Sequence, residues 1–119
     1  MKFILPIIFL LVCIIPAAYT QTLDQARQLA TSGRHLEAEK IYKQLLQTEP
    51  DNPQVWVGAA YNYSWAGQYE KAKKTFDQVL ALSPNYPDAL IGKGYNLAWA
   101  GEYGAAKTPF QILEKVQPG

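Results

Sequence analysis

Residues Tyr61 to Glu70 read YNYSWAGQYE, and residues Tyr95 to Gly104 read YNLAWAGEYG, thirty-four positions later. Both carry Tyr-Asn, then Trp-Ala-Gly, then Tyr, at the same offsets. The same shift of thirty-four superimposes Gly33, Gly67 and Gly101, then Ala38, Ala72 and Ala106. It also superimposes Tyr42, Phe76 and Phe110, and Pro50, Pro84 and Pro118. Four independent columns that hold across three copies mark an internal repeat, which decides the fold before any single residue is weighed.

Each unit reads as two helices, A and B, joined by a tight turn. In the middle unit Asn52 is a good N-cap and Pro53 suits the first helical position, where no intrahelical N–H bond is lost. Trp56, Ala59, Ala60 and Tyr63 follow at spacings of three and four and make one apolar face. Gly67 ends helix A, where a left-handed residue is cheapest as glycine. Helix B is predicted from about Tyr69 to Leu82, with Ala72, Phe76, Val79 and Leu80 inward and Lys71, Lys73, Lys74 and Asp77 in solvent. In the first unit the helices are expected at about Leu23–Thr31 and Leu36–Gln47.

Trp56, Ala60, Tyr63, Gly67, Tyr69, Ala72, Phe76 and Pro84 at these offsets resemble a tetratricopeptide repeat. The third unit keeps Leu90, Gly94, Leu97, Gly101, Tyr103, Ala106, Phe110 and Pro118, and the first keeps Ala26, Leu29, Gly33, Ala38, Tyr42 and Pro50. The resemblance implies an all-α fold of three helix–turn–helix units stacked as a right-handed superhelical solenoid. The domain spans residues 21–119, with units at about 21–52, 53–86 and 87–119. Ala60 and Gly94 are expected where helix A crosses helix B, since a larger side chain there would force the axes apart. One helix pair cannot bury its apolar face alone, so the units must stack. Two departures stand out. Pro109 lies inside helix B of the third unit, where it should kink or shorten the helix. No polar capping helix follows that unit, so Phe110, Ile112, Leu113 and Val116 are expected to be partly covered. Another chain would cover them, or the sequence is the front end of a longer protein; the second is the expectation.

The first twenty residues differ from the rest. Lys2 is the only charge before Asp24, and Phe3 to Tyr19 is almost wholly apolar before Ala17 and Ala18. That is the pattern of a secretory signal peptide, with cleavage after Ala18 or Thr20. A retained anchor is the alternative, although Pro6 and Pro16 interrupt a run already short for a span of about 20 residues. A lipoprotein signal around Cys13 is a third, with Val12 where such a signal wants a small residue. Cys13 is the only cysteine, so residues 21–119 can form no disulfide or thiolate-metal cluster. Of 11 basic and 10 acidic side chains only Lys2 lies in the leader, so the remainder is balanced at ten of each. That balance gives no electrostatic grip on nucleic acid or an anionic membrane.

Chemistry-bearing constellations are scarce. His35 is the only histidine and reads as a solvated turn residue without a ligand partner. Glu37 and Glu39 fall on different helical faces and read as solvated charge. No glycine-rich phosphate loop occurs. The expectation is no enzyme, no cofactor and no metal.

By the resemblance, the inner, concave surface is made by helix A residues free of internal packing. These are Arg27, Ala30 and Thr31; then Gln54, Val57, Gly58, Tyr61, Ser64 and Trp65; then Asp88, Ile91, Tyr95, Ala98 and Trp99. Tyr61 and Trp65 are four apart, as are Tyr95 and Trp99, so stacked units would align them as a four-ring strip. The two tryptophans could instead pack between neighbouring A helices and close the groove. Partner-binding candidates are Tyr61, Trp65, Tyr95 and Trp99, with Arg27, Gln54 and Asp88 beside them. The basic clamp that some family members use on acidic chaperone tails is missing: Leu23, Arg27, Gly58, Ile91 and Tyr95 hold those positions, and only Arg27 could serve. Trp-Ala-Gly at the end of helix A is also similar to periplasmic repeats that precede outer-membrane β-barrels, some of which export polysaccharide. The sequence therefore reads as an exported, periplasmic or outer-membrane-associated scaffold for a protein or peptide. The alternatives are a carbohydrate-binding module of an export assembly and a structural spacer.

Overall fold

Each turn between paired helices closes on a glycine in the left-handed region: Gly33 at φ 81°, Gly67 at 79° and Gly101 at 85°. Around Gly67 the backbone N–H of Gln68 reaches back to the carbonyl of Tyr63 at 2.9 Å, and that of Gly67 to Ser64 at 3.0 Å. This pair of bonds satisfies carbonyls that the helix end would leave open. Arg34 with Leu29, and Glu102 with Leu97, repeat it at 2.9 and 2.8 Å. The three turns therefore have one geometry, as the alignment of their glycines predicts.

The structure, a computed structural model, describes residues 21–117. The predicted signal peptide and the repeated Pro118 lie outside the described residues. Among those described there are six helices and no strand: α1 Leu23–Thr31, α2 His35–Thr48, α3 Pro53–Trp65, α4 Tyr69–Leu82, α5 Pro87–Trp99 and α6 Tyr103–Val116. Odd-numbered helices are the A helices and even-numbered ones the B helices. Thr22 caps α1 in a reciprocal box with Gln25. Asn52 caps α3 by accepting from the Gln54 N–H at 3.0 Å, with Pro53 at the first helical position. No helix of the described chain is long and apolar enough to cross a membrane.

Every helix packs on its sequence neighbours, and successive A helices also touch, α1 on α3 and α3 on α5. The helices thus form a one-dimensional stack, in which each unit meets only the next. The cores lie across the seams between units. Val55 and Ala59 of α3 join Ala26, Ala30, Ala38, Ile41 and Tyr42 of the first unit. Ala89 of α5 joins Val57, Ala60, Tyr63, Ala72, Phe76 and Val79 of the second. A middle A helix is therefore buried on two sides, which explains why α3 is apolar over more than the single face read from its spacing.

Two devices set each seam. The first is an aromatic ring from a B helix seated on a glycine of the following A helix. A Cβ added at Gly58 would stand 2.7 Å from Tyr42 Cε1, and one at Gly92 would overlap the Phe76 ring. The second is a buried asparagine. Asn62 donates to the His35 carbonyl and Asn96 to the Tyr69 carbonyl, each at 2.9 Å, so each tethers the first residue of the preceding B helix. Their side-chain oxygens are also used. Ser64 Oγ donates to Asn96 Oδ1 at 2.8 Å, and Asn62 Oδ1 lies 2.9 Å from His35 Nδ1. Because the Asn62 amide already donates, its oxygen is the acceptor and His35 carries its proton on Nδ1.

Several expectations need correction. His35 is not a solvated turn residue: it opens α2 and is half-buried against Asn62. Glu39 is not free charge. It meets Lys43 at 2.9 Å, Lys71 at 3.5 Å and the Tyr63 hydroxyl at 3.2 Å. Pro109 does not shorten its helix, because α6 runs 14 residues, as α2 and α4 do. The equivalent residue in α4, Thr75, turns its hydroxyl onto the Lys71 carbonyl at 2.8 Å. In α6 the corresponding carbonyl belongs to exposed Ala105, where water can take the bond that proline cannot make. Gly94 does lie at the predicted crossing, with a Cβ there overlapping Phe110 of its own unit.

Candidate partner-binding groove

The face formed by α1, α3 and α5 carries an open groove of about 300 Å³. Its lining crosses all three A helices: Arg27 and Thr31 from α1, Val57, Gly58, Tyr61 and Trp65 from α3, and Asp88 from α5, with Tyr42 rising from α2. Four of the seven predicted partner-binding residues, Arg27, Tyr61, Trp65 and Asp88, thus come together. Tyr95 and Trp99 occupy the equivalent places on α5, one unit further along. Gln54 is exposed in the first turn of α3 and does not line the groove.

The rings follow one rule in both units. Tyr61 and Trp65 have centroids 5.4 Å apart, tilted by 32°, and Tyr95 and Trp99 are stacked at 5.7 Å and 21°. Each tyrosine is held from below by the phenylalanine of its own B helix. Tyr61 meets Phe76 edge-on at 5.3 Å, and Tyr95 meets Phe110 at 5.5 Å. Close ring pairs therefore form along each helix, giving two short stacks where the spacing suggested a continuous strip. The tryptophans do not seal the seam, since Trp65 is 45% exposed and Trp99 48%. Trp65 also borders a neighbouring depression with Ala30, Thr31, Gly33 and His35.

Several residues assigned to this surface by position expose little or nothing on it. Ala30, Val57 and Ser64 are buried, Ser64 being committed to Asn96. Gly58 is largely taken up as the seat of the Tyr42 ring. Counting along a helix gives the direction of a side chain but not what the preceding unit lays over it. Asn62 and Asn96 were missed for the complementary reason. Their signal was present, a polar residue kept in both copies of an otherwise apolar helix face.

Arg27 and Asp88 give the groove opposite charges on its two flanks. The only ion pair near Arg27 among the described residues is a loose one with Asp24 at 3.9 Å, so its guanidinium is available. Burial pushes the Tyr42 phenol above its ordinary value, partly offset by the nearby Arg27 charge. Burial also raises Tyr61, and the nearby Asp88 and Tyr95 add to it. Both phenols therefore keep their protons at neutral pH and can donate hydrogen bonds. Among the described residues no cluster of His, Cys, Asp and Glu is arranged to hold a metal ion.

The groove thus combines a guanidinium, a carboxylate, two phenols and an exposed indole, with no nucleophile–base pair among them. Comparison with known proteins bears on the fold. A comparison with curated proteins gave no match. Residues 29–85, which run from the end of α1 through α4, match the family model described as tetratricopeptide repeat. Members of that family are in general protein-interaction scaffolds without catalytic activity. With glycine turns in one geometry, and one more helix pair stacked in series after that match, the chain carries tetratricopeptide repeats.

Proposed function

We propose that the A-helix face is the concave side of the stack and that it holds an extended segment of a protein partner. The observation that carries this reading is the groove in which Arg27, Tyr61, Trp65 and Asp88 converge from three helices. Its concavity is supported by packing: successive A helices approach closely backbone to backbone, whereas among the described residues α2 with α4 and α4 with α6 do not, α2 and α4 being joined at the ends of long side chains by Glu39 and Lys71, so the stack bends toward the A side. The partner suited to the groove is a peptide with a carboxylate toward Arg27 and a basic group toward Asp88. Between them an apolar or aromatic side chain would lie on the Tyr61–Trp65 stack, where large rings contribute most of the contact area. No catalysis and no cofactor is part of this reading.

The test is an indole-fluorescence titration with peptides of acid–aromatic–base order and with their reversed sequences. The wild-type chain should prefer the first order, and Arg27→Glu with Asp88→Lys should prefer the second. Equal binding of both orders by both proteins would contradict the reading. A carbohydrate reading is favoured by one observation, the two half-exposed indoles one repeat apart. A fluorescence change with neutral oligosaccharides that survives the charge exchange would establish it in place of the peptide.

The same proposal places the chain outside the cytoplasm, in a bacterial periplasm or an outer-membrane assembly, on the strength of residues 1–20. N-terminal sequencing of the protein recovered from the periplasm should find a start near Gln21; a start at Met1 would contradict cleavage.

A further inference from the structure

The two seams differ where a B helix, the next A helix and the next B helix meet. Between α4, α5 and α6 the surface opens into a second groove of about 390 Å³. Leu80, Leu90, Leu97, Pro109 and Ile112 supply its apolar lining, with Lys73, Lys93 and Glu102 beside them. It shares no residue with the groove of Tyr61 and Trp65. One unit earlier the chain fills the equivalent positions with larger side chains of its own. Trp56 stands where the second seam has Leu90, and its indole N–H donates to the Pro50 carbonyl at 2.6 Å. Tyr63 stands where it has Leu97, with its hydroxyl 3.2 Å from Glu39 and the Lys71 ammonium 4.7 Å from its ring centre. Lys71 gives way to Ala105, and Thr75 and Gln78 to Pro109 and Ile112, so the α6 wall turns apolar as the rings are removed. Pro84 lines the open groove, and among the described residues nothing donates to its carbonyl as Trp56 does to that of Pro50.

We propose that this groove takes a tryptophan side chain, with an acidic group beside it, from a partner protein. The indole occupies the place over Leu90 and Leu97 that Trp56 and Tyr63 fill at the first seam, and its N–H donates to the Pro84 carbonyl. An apolar lining with few polar groups suits one large anchoring ring. The charges choose what accompanies it. Lys93 is held by Asp77 at 2.6 Å, whereas Lys73 meets the same carboxylate only at 3.7 Å, so its ammonium on the α4 wall is left for a partner's acid. Glu102 repels that acid from the α6 wall. The occupant is not a second copy of this chain. Its two exposed tryptophans, Trp65 and Trp99, already lie against Tyr61 and Tyr95 at 5.4 and 5.7 Å and would have to leave them.

The experiment is a titration of the isotope-labelled chain with N-acetyl-tryptophan, whose carboxylate lies beside the indole, followed by amide chemical shifts. The amides of Lys93, Leu97, Ala105 and Ile112 should move together. The neutral N-acetyl-tryptophanamide should bind about threefold more weakly, and Lys73→Gln should remove that preference. N-acetyl-leucine at the same concentrations should leave these amides unmoved. Leu90→Trp with Leu97→Tyr, which copies the first seam, should abolish the shifts without lowering the thermal midpoint. Ile112→Glu, at a position 37% exposed, should abolish them without refilling the core. No shift at these amides, shifts confined to Tyr61 and Trp65, or binding that survives Ile112→Glu overturns the proposal. A dimer of the parent chain that is lost in Trp99→Ala and in Ile112→Glu would overturn the choice of occupant.

Discussion

The seams between units and the groove that crosses them lie on the same A helices, yet they follow opposite rules. At the seams the chain repeats itself: Gly58 and Gly92 seat the rings of Tyr42 and Phe76, while Asn62 and Asn96 tether the same backbone position of the preceding helix. On the groove face the repeat holds for the rings of the second and third units and is broken in the first unit and at the charged positions. Equivalent positions hold Arg27, Tyr61 and Tyr95, then Thr31, Trp65 and Trp99, and the pair Gln54 and Asp88. Groups that hold one unit to the next must recur because the neighbour recurs. Groups that read a partner have no such constraint, because a partner need not repeat every thirty-four residues. The comparison assigns stability to the first set and recognition to the second.

Breaking a seam should have the largest effects. Gly92→Val forces the buried Phe76 ring out of its seat and should cost about 3 kcal/mol, read as a fall in the urea midpoint. Its neighbour Gly94 is a useful contrast, since Ala60 occupies that place in the unit before and Phe110 lies at the open end, free to give way. Gly94→Ala should stay within about 1 kcal/mol of neutral. Asn62→Ala and Asn96→Ala each leave buried polar groups without partners, and each should cost about 2 kcal/mol by the same measurement.

Smaller effects should come from groups at the edge of the two regions. Trp65→Ala and Trp99→Ala remove rings that are about half-buried on their own helix, so each should cost about 1–2 kcal/mol. The double variant should keep its helical circular dichroism while losing peptide binding. The Tyr63 phenol is pushed up to about 12 by burial, then by the Glu39 charge and its hydrogen bond. An unfolded chain releases that proton near pH 10, so the stabilisation is complete below that pH and is lost as pH rises toward about 12. Glu39 is held below its ordinary value of 4.5, chiefly by its hydrogen bond to Lys43 and by the Lys71 charge, against some opposing burial. Its contribution is therefore present above pH 4.5 and is lost as pH falls below it. Tyr63→Phe should cost about 1 kcal/mol at neutral pH and flatten the alkaline loss, as followed by thermal melts across pH.

The helices were legible in the sequence because each A helix stops at a glycine turn that recurs one unit away, and the apolar spacing of the helices recurs with it. The predicted α1 and α4 agree with the structure at both ends, and Gly94 lies at the crossing where its small size places it. What could not be read was whatever depends on a neighbouring unit. His35 looks like a lone turn histidine until Asn62 is brought over it from 27 residues away. Gly58 looks free until Tyr42 covers it. Pro109 looks like a helix breaker until the carbonyl it abandons proves to belong to an exposed residue, Ala105. For the groove, the charged and aromatic residues were identifiable by type and position. That Arg27 and Asp88 flank one cavity depends on three helices lying side by side, which no single unit encodes.

The division between seam and groove is tested most directly by equilibrium urea unfolding of two double variants side by side. Asn62→Ala with Asn96→Ala should lower stability by about 4 kcal/mol if the seams act independently. Arg27→Ala with Asp88→Ala, which removes the two charged flanks of the groove, should leave the midpoint within about 0.5 kcal/mol of the parent. Equal losses in the two variants, or a larger loss from the charged pair, would contradict the assignment of these helices to two separate tasks.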